Sequence, residues 1–118
     1  MSQTGTLPAT RSALVPMDRY RLRDRLQDLW RAKVEHITSL AVEYHTADAD
    51  EDSIDHTVIG SRLAGARHEL IEIEGAMRRM DEGRYGRCEI CSQPLSYDEL
   101  IRQPQRRGCA DCAESSPM

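Results

Sequence analysis

The chain has 118 residues, with 20 acidic against 16 basic side chains, a formal net charge of -4, 31% charged residues, one Trp and no Phe. So charged a sequence, so poor in aromatics, holds one domain plus appendages and cannot close a broad globular core; a long, thin molecule is expected. The negative balance argues against generic coating of nucleic acid, and no apolar run approaches the roughly 18 residues of a membrane span. A soluble, cytoplasmic protein is expected.

Residues 1–16, MSQTGTLPATRSALVP, are small and polar, are interrupted by Pro8 and Pro16, and carry no sustained apolar period. They predict a flexible leader. Asp18 then predicts the cap of a helix running to about Thr46, with a seam of Leu22, Leu26, Leu29 or Trp30, Val34, Ile37, Ala41 and Tyr44 that slips by one residue near Trp30. A second helix is more regular. Ile59, Leu63, Ala66, Leu70, Ile73, Met77 and Met80 recur at spacings of four and three, the a/d pattern of a coiled-coil strand, with Gly60, Gly65 and Gly75 off the seam.

Between the two lies the polar connection 47–53, ADADEDS, short enough to make the helices antiparallel neighbours. Residues 17–83 therefore predict an antiparallel coiled-coil hairpin with arms of roughly 43 Å. Gly83 supplies the helix stop. Charge is polarised along this probe: Glu43 to Asp55 contains six carboxylates and no Lys or Arg, whereas Arg19, Arg21, Arg23, Arg25, Arg31 and Lys33 crowd the start of the first helix. Helix dipoles alone explain much of this, since carboxylates suit the start of helix two and arginines its carbonyl end. The acidic tip, with Asp48, Asp50, Glu51 and Asp52, is nonetheless the candidate surface for a partner.

The remaining residues, 84–114, carry all four cysteines as Cys88-x-x-Cys91 and Cys109-x-x-Cys112 with seventeen residues between the pairs. Each pair delivers two sulfurs to one side of an ion, and the loop brings the pairs together, so these residues predict a zinc finger with one Zn2+ bound by four thiolates. Disulfides are the rival use; no N-terminal segment combines a basic start with an apolar core of signal-peptide length, which favours metal. With all four positions filled by protein the ion has no place for water, so it is read as structural. Tyr97 to Arg102 predict a short helix ended by Pro104, Tyr85 and Tyr97 predict packing of the finger on the hairpin root, and 115–118 predict a disordered tail.

No catalytic constellation is present. His36, His45, His56 and His68 are scattered without a metalloprotease pattern or a paired nucleophile, and read as surface residues. Tip carboxylates on an isolated turn lack the pocket that acid–base chemistry needs, so no enzymatic activity and no catalytic residue are predicted. The arginines around the finger are explained by the charge of a zinc–thiolate core, and few aromatics accompany them, so sequence-specific nucleic-acid binding is not expected.

Arg84-Tyr85-Gly86-Arg87-Cys88-Glu89-Ile90-Cys91, the seventeen-residue spacer, Leu100, Pro104 and Cys109-x-x-Cys112 resemble the signature of the DksA/TraR proteins, bacterial regulators with a coiled-coil hairpin followed by a four-cysteine zinc finger. The resemblance implies binding to RNA polymerase, with the hairpin entering the secondary channel and its acidic tip approaching the catalytic centre to modulate initiation. The family's tip pattern, Asp-x-x-Asp-x-Ala, falls on His45, Asp48 and Asp50, retaining Asp48 alone. Its basic ligands for guanosine tetraphosphate fall on Glu72, Gln103 and Ala113, so alarmone binding is not expected, and its Gly after the second cysteine is Ser92. Two other readings stand beside this one: a zinc-stabilised protein–protein adaptor, and a Gre-like accessory factor that promotes transcript cleavage.

Overall fold

The computed structural model describes residues 14–47 and 54–115, with side chains as far as Cys112. Most of the expected leader, the connection 48–53 and residues 116–118 lie outside the described residues. The elements are α1 (Pro16–Thr46), α2 (Ile54–Asp81), α3 (Tyr97–Arg102) and α4 (Ala110–Ser115). Among the described residues there is no strand, only an isolated antiparallel bridge between Arg87 and Pro94. The two long helices pack side by side along a molecule measuring 71 × 31 × 21 Å.

Helix α1 starts earlier than Asp18 predicts. Val15, extended at φ -74° and ψ 159°, is the N-cap and offers no side-chain hydrogen bond, while Pro16 opens the helix. Proline suits that position because its fixed φ is already helical and its missing N–H would have had no partner. Asp18 falls inside the first turn, where its charge still complements the dipole. At the other end of the hairpin, Gly83 (φ +76°) carries the chain out of α2, with its own N–H on Met80 O at 3.2 Å and that of Arg84 on Arg79 O at 2.8 Å. This left-handed closure satisfies the last carbonyls of α2, as the glycine predicts.

The seam of α2 is as expected: Leu63, Ala66, Ile73 and Met80 are buried and Ile59, Leu70 and Met77 half-buried, with Ala76 buried beside them. On α1 the ambiguity at 29 and 30 resolves in favour of Leu29, which packs on the root core. Trp30 remains 37% exposed and donates its indole N–H to Glu74 at 3.0 Å. One helical step further, Lys33 stands half-buried between Leu29 and Ile37, paired with Glu69, and Val34 is half-buried beside it. A polar step thus interrupts the apolar seam.

The interruption divides the core in two. The larger cluster joins the hairpin root to the finger: Leu22, Leu26, Ile73, Ala76 and Met80 from the helices with Tyr85, Cys88, Leu95 and Leu100 from the segment that follows. The smaller one, Leu40, Leu63 and Ala66, lies toward the connection, with Ile37, Ala41, Tyr44 and Ile59 packed on it.

Candidate metal centre

The segment after α2 folds back on the root through a few specific contacts. Tyr85 is buried and its hydroxyl donates to Pro104 O at 2.9 Å; burial raises its pKa further from the physiological range. Ser96 caps α3 in a reciprocal box, accepting from the Glu99 N–H at 3.1 Å while the Glu99 carboxylate accepts from the Ser96 N–H at 3.0 Å. That N–H is the leading reason the Glu99 carboxyl is held below its ordinary range. The box places Leu100 in the core and α3 against α1.

The four cysteines meet at the outer side of this unit. The Sγ atoms of Cys88, Cys91, Cys109 and Cys112 all lie within 4.8 Å of one another, with Cys91 and Cys109 at 3.9 Å. A tetrahedron with metal–sulfur bonds of about 2.3 Å has edges of roughly 3.8 Å, so one ion fits among these sulfurs once the longest separations close by about 1 Å. No disulfide joins them. Backbone N–H groups already point at the sulfurs: Ile90 and Cys91 donate to Cys88 Sγ at 3.4 Å each, and Cys112 to Cys109 Sγ at 3.5 Å.

The first turn needs a left-handed residue after Cys91, and Ser92 supplies it at φ +66°. A Cβ there costs on the order of 1 kcal/mol relative to glycine. Two contacts offset it: Ser92 N–H donates to Cys88 O at 2.8 Å, and Arg87 donates to Ser92 O at 3.1 Å. The turns are tied to each other by Glu89 N–H on Arg107 O at 2.8 Å.

Protonation of the thiols is uneven. Burial opposes ionisation of Cys88, but the N–H donors of Cys91, Cys109 and Ile90 outweigh it and bring its pKa to about 6. Cys112 is pushed up to about 12, chiefly by its contacts with the Cys109 and Cys91 sulfurs and then by burial. Four thiolates in one such cluster repel one another, and a divalent cation among them removes that cost, which is the chemistry the donor set is suited to. When bound, such an ion crosslinks the two turns.

Around the sulfurs, cations and carboxylates fasten the finger to α2. Arg79, with its side chain 7% exposed, reaches Gln105 O at 3.5 Å and Arg106 O at 3.4 Å and lies 3.8 Å from Glu89. Burial lowers its pKa, and the Glu89 carboxylate opposes that. Arg107 donates to Glu72 at 2.8 Å and lies 3.8 Å from Glu89. Glu72, a position where a basic alarmone ligand falls in the DksA/TraR pattern, is thus an acid engaged by the finger's own arginine. Neither Arg79 nor the Arg107–Glu72 pair is evident from periodicity; the available signal was an arginine three residues after Ala76, on the buried face of α2.

The expected tip residues Asp48, Asp50, Glu51 and Asp52 lie outside the described residues. At the root, Arg23 pairs with Asp81 at 3.4 Å and Arg31 with Asp28 at 3.5 Å, both exposed. His36, His45 and His68 are exposed as predicted, whereas His56 is half-buried and stacks on Tyr44.

A long helical hairpin joined through a shared core to a four-cysteine, metal-binding finger defines a DksA/TraR-like fold. Among solved structures the chain is similar to transcription factor DksA2 from Pseudomonas aeruginosa, with a TM-score of 0.75 and 20% sequence identity over 84% of this chain and 82% of that one. Among curated proteins it is 40% identical over 45 residues to an uncharacterized protein of Aquifex aeolicus (strain VF5), a match covering 38% of this chain and 31% of that relative's length. No family model matches the chain. No helix among the described residues is long and apolar enough to cross a membrane.

Proposed function

We propose that this chain is a transcription regulator that binds RNA polymerase, enters its secondary channel with the acidic end of the hairpin and modulates initiation without an enzymatic activity of its own. The observation that carries this reading is the likeness of fold, over most of the chain, to a transcription factor. A molecule 71 Å long and 31 Å across has the form of a probe, and the stretch of sequence from Glu43 to Asp55, which joins its two long helices, carries six carboxylates. Hard divalent cations take oxygen ligands, so carboxylates brought beside the polymerase's catalytic Mg2+ would compete for or reposition that ion. One structural Zn2+ on Cys88, Cys91, Cys109 and Cys112 completes the proposal.

The test separates charge from fold. Changing Asp48 and Asp50 together to Asn removes two negative charges at nearly constant size. Polymerase binding, measured by competition, is expected to persist while the effect on promoters with short-lived open complexes is lost. Full regulatory activity in that variant would eliminate the charge mechanism. Failure of the wild type to bind core polymerase would favour an adaptor, and stimulated RNA cleavage would favour the accessory-factor reading.

A further inference from the structure

The end of the hairpin nearest the acidic connection is built differently from the root. Thr46 turns its hydroxyl back onto Val42 O at 2.8 Å, and Ala47 N–H closes on Glu43 O at 2.8 Å, which satisfies two carbonyls of the last turn of α1. One turn before that end, Tyr44 crosses to α2. Its ring stacks on His56 with centroids 4.0 Å apart and planes 22° from parallel. The same ring also lies against Gly60, where a Cβ would sit 3.0 Å from Tyr44 Cε1. That is closer than carbon atoms rest, so even alanine at 60 would displace the ring.

The three residues form one device. His56 lies in the first turn of α2, Gly60 one turn later, and Tyr44 in the last turns of α1, so the stack spans the two helix ends from which the connection leaves and to which it returns. In the sequence Gly60 simply lies off the seam; the structure shows it as the gap that admits the ring. Below it, the cluster of Leu40, Leu63 and Ala66 is small and is separated from the root core by the Lys33–Glu69 step. Among the described residues apolar packing at this end is confined to that cluster and its neighbours, so an aromatic pair adds substantially to what fixes the spacing and rotation of these two helix ends.

We infer that Tyr44 and His56, accommodated by Gly60, are positioning residues that set how the hairpin presents its acidic end. The inference rests on the polymerase reading above. Stiffness at this place has a functional consequence because carboxylates act on a metal ion only within coordination distance, and a small displacement forfeits the contact.

The experiment uses the full, zinc-loaded chain with Tyr44→Ala, Tyr44→Phe and Gly60→Ala. Two readouts concern polymerase: competition binding to the core enzyme, and effect on initiation at saturating regulator. Tyr44→Ala and Gly60→Ala are expected to lose about tenfold in effect with binding within about twofold, whereas Tyr44→Phe, which keeps the ring, retains both. Gly60→Ala is the sharper variant, since alanine favours helix and would leave function intact if the site served stability alone. A third readout is independent of polymerase: amide hydrogen exchange at 44–47 and 54–57, expected to rise about tenfold in Tyr44→Ala and not in Tyr44→Phe.

Wild-type effect at saturation in both alanine variants, a loss that merely follows weakened binding, or a Phe variant as defective as Ala would overturn the inference. Should the wild type itself neither bind polymerase nor alter initiation, the functional reading falls instead. Exchange unchanged in Tyr44→Ala would then refute the positioning of the helix ends on its own terms.

Discussion

Replacing Arg79 with Met tests whether the finger and hairpin are held as one unit. Arg79 sends one terminal nitrogen to two finger carbonyls, Gln105 O at 3.5 Å and Arg106 O at 3.4 Å, and the other to Glu89 at 3.8 Å. Charge-assisted bonds at good geometry contribute about 1.5–3 kcal/mol each; these are long, so about 1 kcal/mol apiece is the better figure. The Glu89 side chain is 37% exposed, and water screening leaves that pair a few tenths of a kcal/mol. Replacing buried ions with apolar groups is often neutral, but here Met would leave two carbonyls without their donor while keeping only the packing of the stem. The net loss is about 2 kcal/mol, or roughly 10 °C in Tm for a domain of this size. Thermal unfolding of the zinc-loaded protein followed by circular dichroism measures it, with Arg79→Lys falling between. A Met variant melting within about 2 °C of wild type would show that these bonds do not hold the finger.

Two further expectations concern metal and seam. At neutral pH Cys88, with its pKa near about 6, is a thiolate while Cys112, near about 12, is a thiol, so loading the cluster releases protons and zinc affinity rises with pH. Below about 6 Cys88 also reprotonates and the dependence steepens by one proton; a pH-independent affinity in chelator competition would contradict the four-thiolate site. Lys33→Leu replaces the polar step between Leu29 and Ile37 with an apolar one and is expected to stabilise the hairpin by about 1 kcal/mol, since an ion pair with a Glu69 side chain 60% exposed is worth less than the added burial. A lowered Tm would mean that the pair fixes helix register.

Legibility followed the kind of physics involved. Periodicity located Leu63, Ala66, Ile73 and Met80 on the packed face of α2, because one helix face meeting one partner leaves a repeating signal, though it did not locate Ala76 and Arg79 beside them; the cysteine spacing located the sulfur cluster, because knuckle geometry is local. Ser96 and Glu99 carry the capping-box pattern S-x-x-E in the sequence, and the structure closes it. What did not show were the polar contacts set by the meeting of distant segments: Arg79 beneath the carbonyls of 105 and 106, Arg107 on Glu72, and Lys33 in place of a cleaner apolar step. Charged residues at these positions look like ordinary helix surface until the partner segment is known. His56 departs from the expected surface position for the same reason, since the Tyr44 ring it stacks on comes from across the connection.

The division of the core explains how such a molecule can be fastened at one end and specialised at the other. Cys88 belongs to the same buried cluster as Leu22, Leu26 and Ile73, so whatever orders the sulfurs also orders the root, and metal binding and helix packing reinforce one another there. The polar step at Lys33 and Glu69 breaks the apolar continuity along the hairpin, and beyond it the described residues pack around Leu40, Leu63 and Ala66, with Ile37, Ala41 and Ile59 beside them and the Tyr44–His56 stack at the end. Packing changes at the connection end can therefore alter the helix ends at 44–47 and 54–57 with little effect on the sulfur cluster. Changes at the sulfurs, by contrast, reach the root directly through Tyr85, Leu95 and Leu100, which bridge the two parts of the larger core.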